Sequence, residues 1–160
     1  MLGAMGAVQA ILTVWRAALD ADGWPDVPVV IGSPDTDVIN RCFVAALSPV
    51  DDSPGVRSEW LRRDLAFDEG RHFVRVAAEA FDGKGSDEAT LHTGALTGRW
   101  FDLLRQALAT DPFLRGKAQE ARIDGEQLTF AGWTADGSST TWTAQVLVVE
   151  SVRQQPQPDA

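Results

Sequence analysis

Large apolar residues recur at helical spacing near the start of the chain. Between Gly6 and Asp22 they are Val8, Ile11, Leu12, Trp15 and Leu19, and together they form one helix face. Arg16 and Asp20 fall on the opposite side as an i,i+4 pair. Gly23 then Pro25 predict the stop. Val27–Ile31 is a short β-branched run in which Pro28 lacks a ladder donor, so this strand starts late or lies at an edge. Cys42–Leu47 reads as a second short strand. Residues 48–70 open with Pro49, Asp51, Asp52, Ser53, Pro54 and Gly55, which predict a long loop. Alternation returns from His72 to Phe81. Val74, Val76, Ala78 and Ala80 form a core face, while Phe73, Arg75, Ala77, Glu79 and Phe81 form a partly covered or intersubunit face.

After a turn at Asp82–Asp87, Thr90–Thr110 reads as a long helix carrying Leu96, Trp100, Phe101, Leu103, Leu104 and Leu108, ended by Asp111-Pro112. Gln119–Ile123 and Glu126–Trp133 read as a hairpin about Asp124-Gly125. Asp136-Gly137 marks the next turn, and Thr140–Val152 is a strand apolar on both sides near Leu147 and Val149, as a central strand or a subunit contact would be. The expected class is α+β, a mainly antiparallel sheet of about 4–5 strands against two helices. Residues 1–153 form one domain, and the polar, proline-spaced 154–160 is expected to be disordered.

Composition narrows the function classes. With 160 residues, 44 % hydrophobic and 23 % charged, the chain is neither wholly disordered nor long enough for two comfortable domains. No stretch approaches the roughly 20 apolar residues of a membrane span. The 23 acidic and 14 basic side chains give a net charge of −9, the wrong sign for sequence-independent binding to nucleic acid. Cys42 stands alone, which points to a reducing compartment, and one Cys with two His builds no standard zinc site. The apolar N-terminal segment lacks a basic n-region and reads as a helix that stays on the protein.

No catalytic, cofactor-binding or metal-binding set emerges from spacing. His72 and His92 read as surface or boundary residues, and the acids at 35, 37, 51, 52, 64, 68 and 69 as solvated loop charge. Gly83-Lys84-Gly85-Ser86 lacks the rest of a phosphate loop. Of six Trp, Trp15, Trp100 and Trp142 fall on core faces, while Trp24, Trp60 and Trp133 lie near loops. Around Trp60, the segment Arg57–Arg63 supplies the aromatic and arginine anchors that interface cores favour, or else docks locally as a short helix.

Several stretches resemble the tail terminator proteins of long-tailed phages and prophages, in the form common among high-GC actinobacteria. They are Val29–Pro34 after the first helix, Cys42–Leu47, Arg63–Ala80 with Phe81-Asp82-Gly83, Trp142–Arg153, and above all the helix stop Leu103–Leu114. The resemblance covers roughly residues 6–153 in order and spacing, with Pro28 and the Arg- and Trp-rich 48–66 departing from it. It implies a non-enzymatic virion protein, without cofactor, assembled in the host cytoplasm. Copies of it form a ring, a hexamer, at the head-proximal end of the tail. The ring stops tube growth, contacts the tail tube protein and the head-completion proteins, and lets DNA pass without specific binding. Acidic character around a DNA path would repel phosphate. Candidate interface residues are Arg57, Trp60, Arg62, Arg63, Phe73, Arg75, Glu79, Leu147 and Val149. The alternatives are another neck or minor tail component, or a small α+β enzyme or ligand-binding domain with a pocket.

Overall fold

The computed structural model describes residues 1–32, 40–46, 54–63 and 66–153. The elements run α1 (Gly3–Ala21), β1 (Val29–Ile31), β2 (Arg41–Val44), β3 (Val56–Arg62), β4 (Phe67–Asp82), α2 (Asp87–Thr110), β5 (Glu120–Thr134) and β6 (Gly137–Arg153). The fold is α+β. Among the described residues its sheet has six strands, more than expected, in the order β1-β2-β4-β6-β5, with β3 beside the first half of β4. Among these strands only β1 and β2 pair in parallel.

Both helices pack on one face of the sheet. Ala7, Val8, Ile11, Trp15 and Leu19 of α1 and Trp100, Phe101, Leu104 and Leu108 of α2 share a core with Val74, Val76, Ala78, Ala80, Val146 and Val148. Trp15 meets Phe101 edge-on at 5.6 Å, and its indole N–H donates to the Trp100 carbonyl at 3.0 Å. Cys42 is buried on this face, and burial pushes its thiol pKa up, so it is an inert packing residue. No helix among the described residues is long and apolar enough to cross a membrane.

The helix ends follow local chemistry. Gly23 has φ +83°, the Trp24 N–H reaches the Leu19 carbonyl at 2.9 Å and the Gly23 N–H reaches that of Asp20 at 3.3 Å, which is a Schellman stop. α2 begins three residues before the expected Thr90, because the Ser86 hydroxyl accepts from the Ala89 N–H at 3.1 Å. It ends at Thr110, before Asp111-Pro112.

Two expectations need correction. The segment 48–70 is not one long loop: Val56–Arg62 forms β3, and β4 already begins at Phe67. The β3 side chains are mostly exposed, so its sequence lacks the apolar alternation that marks a half-buried strand. The proposed hairpin about Asp124-Gly125 is instead one strand, β5, with a register shift between Ile123 and Glu126. Gly125 adopts φ +84°, which serves a bulge as readily as a turn. The real hairpin turn follows Thr134, which pairs with Gly137. Residues 154–160 lie outside the described residues.

Candidate interaction surface

Strand register sorts the expected interface residues by face. Residues opposite one another share a face, and neighbours along a strand alternate. Phe73 pairs with Arg57 and Leu147, Arg75 with Gln145, Arg71 with Val149 and Glu79 with Arg41. Arg57, Phe73, Arg75, Glu79, Leu147 and Val149 therefore share the face that carries no helix. Trp60 pairs with Gly70 and Arg62 with Asp68, which places these two on the helix-bearing side. Arg63 follows β3 and bonds Glu69 at 2.8 Å.

The helix-free face mixes charge with apolar surface. The Arg57 guanidinium lies 4.2 Å from the Phe73 ring centroid and is ion-paired with Glu59. Burial pushes the Glu79 carboxyl pKa up, partly offset by Arg41 opposite. Arg63 and Arg71 both bond Glu69 and hold its carboxyl below the ordinary range, Arg63 most strongly. The Arg75 Nε is buried without a hydrogen-bond partner among the described residues. Leu147 and Val149 are each only 7 % exposed within the single chain. Phe73 and Arg122 flank Leu147, and Arg71 and Glu120 flank Val149, so neither residue offers a partner much further area.

The β3–β4 hairpin is held to the body by a polar chain that sequence spacing missed. The His72 ring is 1 % exposed and Glu150 3 %. His72 Nε2 lies 2.6 Å from a Glu150 carboxylate oxygen, and its Nδ1 lies 2.7 Å from the Ser58 hydroxyl. In the tautomer with Nε2–H donating to Glu150, Nδ1 accepts the Ser58 O–H. Glu150 also accepts the backbone N–H groups of Leu2 at 2.9 Å and Gly3 at 2.8 Å, at the start of α1. Burial raises the Glu150 carboxyl pKa, but the bonds from His72, Leu2 and Gly3 outweigh it and leave it below the ordinary value. His72, expected at the surface or a boundary, is instead buried, because strand parity puts it on the face of Val74 and Val76, as it puts Glu150 on the face of Val146 and Val148. Extending that parity by one step would have marked both as buried. Ser58 needed the β3 register, which has no sequence signal.

A serine, a histidine and a glutamate in line invite comparison with a hydrolytic triad. There the serine meets Nε2 and the acid Nδ1, and here the two nitrogens are exchanged. Ser58 also sits in mid-strand within a regular ladder, not on a strained turn. The chain acts as a clamp joining β3, β4, β6 and the start of α1. Among the described residues no group of three or more His, Cys, Asp or Glu could hold a metal ion.

Beside this clamp lies Trp60, 46 % exposed, edge-on to His72 at 5.6 Å. Gly70 makes room for its ring: a Cβ there would come within 2.7 Å of the indole. Gly70→Ala is expected to swing Trp60 outward while costing the fold about 1 kcal/mol, because the atom that must move ends a side chain. A red-shifted tryptophan emission with a nearly unchanged melting temperature is the expected reading. An unchanged spectrum would show that Trp60 is seated by other contacts.

A groove of about 570 Å³ opens between α1 and the chain following α2. It is lined mainly by small side chains such as Ala10, Thr13, Ala17 and Ala107, with Asp111, Arg115 and Lys117 its charged members. Neither this groove nor the clefts at Arg105–Ile123 and Arg75–Gln145 is lined by Ser58, His72 or Glu150. No protein-family model matches the chain, and no curated protein matches it either.

Proposed function

We propose that this protein is a virion structural subunit of the tail terminator kind. In this reading, copies assemble into a ring at the head-proximal end of a phage tail, stop tube growth and present the surface to which the head joins. The observation that carries the reading is the one-sided sheet. Helices cover one face, while the other displays Arg57, Phe73, Arg75 and Glu79 in register. A protomer that buries itself against two neighbours needs such uncovered surface, because a ring joins two different patches of the same chain. The anchors Trp60 and Leu61 on β3, 46 % and 39 % exposed, suit a contact with the adjacent subunit or the tail tube.

The test is negative-stain microscopy of particles from the parent phage or prophage with this gene deleted. Overlong tails with unattached heads are the expected result. Tails of normal length with unattached heads would move the protein to a neck role, and normal infectious particles would overturn both. At residue level, Trp60→Ala is expected to leave protomer stability within about 1 kcal/mol. Its ring or tail binding should weaken by about 2 kcal/mol or more, roughly 30-fold. A large drop in protomer melting temperature would make Trp60 a core residue and remove it from the interface.

A further inference from the structure

The positive charge of Arg75 is uncompensated. Its Nε is buried without a hydrogen-bond partner, and among the described residues the guanidinium forms no ion pair. The acids along this part of the sheet each have a cation of their own. Asp124 lies 3.4 Å from Arg122, Glu126 is ion-paired with Arg105 of α2, and Glu79 has Arg41 opposite it in the register. The positions that flank Arg75 on its own face of β4 are Phe73 and Ala77, which offer no side-chain acceptor. A buried N–H without an acceptor costs folding energy, and a charged one costs more.

The sheet is shaped to meet this group. The register of β5 shifts between Ile123 and Glu126, where Gly125 takes φ +84°. Beside this bulge a cleft of about 300 Å³ lies across β6. Arg75 lines it together with Gln145, its direct partner in the register, and with Thr143 and Gln127, which pair with each other. Parity puts all four side chains on the helix-free face. Asp124 borders the cleft at the bulge.

Charge and geometry select the ligand. A guanidinium presents a flat fork of N–H donors that matches the two oxygens of a carboxylate. The amides of Gln127 and Gln145 and the hydroxyl of Thr143 can donate further hydrogen bonds without adding charge. One cation balances one negative charge. A phosphate dianion would bring a second charge into a cleft bordered by Asp124, on a chain of net charge −9.

We infer that this cleft binds a carboxylate group, held by the Arg75 guanidinium, with Gln127, Thr143 and Gln145 completing its hydrogen bonds. One copy of the chain supplies the whole site, so the inference stands apart from the ring reading above. The group belongs either to a separate small acid or to an Asp or Glu side chain of a second copy, and both present the same planar anion.

NMR of the arginine side chains tests this. A buried Nε–H exchanges slowly with water and gives an observable signal, which Arg75→Lys assigns by deleting it. Sodium acetate is the probe, added to dilute protein at constant ionic strength against sodium chloride. The Arg75 signal is expected to shift saturably. The signals of Arg16 and Arg71, whose Nε–H groups already bond Asp20 and Glu69, are expected to stay in place. Gln145→Ala should raise the half-saturating acetate concentration about tenfold. A dilution series without acetate separates the two sources. A signal that moves with protein concentration in the direction acetate moves it assigns the carboxylate to a second copy, and a signal indifferent to concentration assigns it to a separate molecule. An Arg75 signal that acetate leaves in place, one that sodium sulfate moves as far as acetate does at matched ionic strength, or an acetate response unchanged in Gln145→Ala would overturn the carboxylate site.

Discussion

Glu150→Ala is expected to cost the protomer about 3–5 kcal/mol of folding stability, since each donor left without its acceptor costs about 1–3 kcal/mol and several depend on this carboxylate. The reason is the number of groups that depend on this carboxylate. His72 loses its acceptor at 2.6 Å while 1 % exposed, and the Leu2 and Gly3 N–H groups at the start of α1 lose theirs. In a chain of this size each kcal/mol moves the melting temperature by about 2–4 °C. Glu150→Gln keeps an acceptor oxygen and should cost less. The acid limb provides a second reading. Because the folded-state pKa of Glu150 lies below its ordinary 4.5, its contribution is fully present above that value and is lost as pH falls through the lowered one. Denaturant unfolding of wild type and Glu150→Gln should therefore diverge near neutral pH and converge as the pH drops below the ordinary carboxylate range. A constant gap across that range would mean that the carboxylate charge is not what the clamp uses.

Trp15→Ala should be comparably severe, at about 3–5 kcal/mol, because it empties a closed site. Trp15 is fully buried, packs edge-on against Phe101 and bonds the Trp100 carbonyl through its indole N–H. It is one of the residues through which α1 and α2 meet over the sheet. Set beside Trp60→Ala, the substitution separates the two kinds of tryptophan in this chain. Trp15→Ala should lower the melting temperature by roughly 6–20 °C whether or not a partner is present. Trp60→Ala should barely move it and should act on association. A mild effect at Trp15 would indicate that α1 is held chiefly by Glu150 and not by its apolar face.

Elements whose signals are local can be read from the order of residues alone. The apolar stripe Val8–Leu19 marks α1, and Gly23 stops it through its positive φ. The alternation Val74–Ala80 marks the core face of β4, and Asp111-Pro112 ends α2. These follow from periodicity and from backbone chemistry within a few residues, so the α+β class and both helices were legible. The separation of Phe73, Arg75 and Glu79 from the core was legible for the same reason, since a period of two needs no partner.

Features that depend on register emerge from long-range strand pairing. β3 has no apolar alternation of its own; seven residue pairs with β4, from Val56↔Val74 to Arg62↔Asp68, make it a strand. Gly125 could have served a hairpin or a bulge, and the continuous pairing of β5 with β6 on both sides of it selected the bulge. The start of α1 has no side-chain cap of its own, and the acceptor for its first N–H groups comes from Glu150, 147 and 148 positions away. A buried donor must find an acceptor somewhere. Which distant residue supplies it is settled only when the strands align, because a shift of one residue would turn Glu150 and His72 to the opposite face.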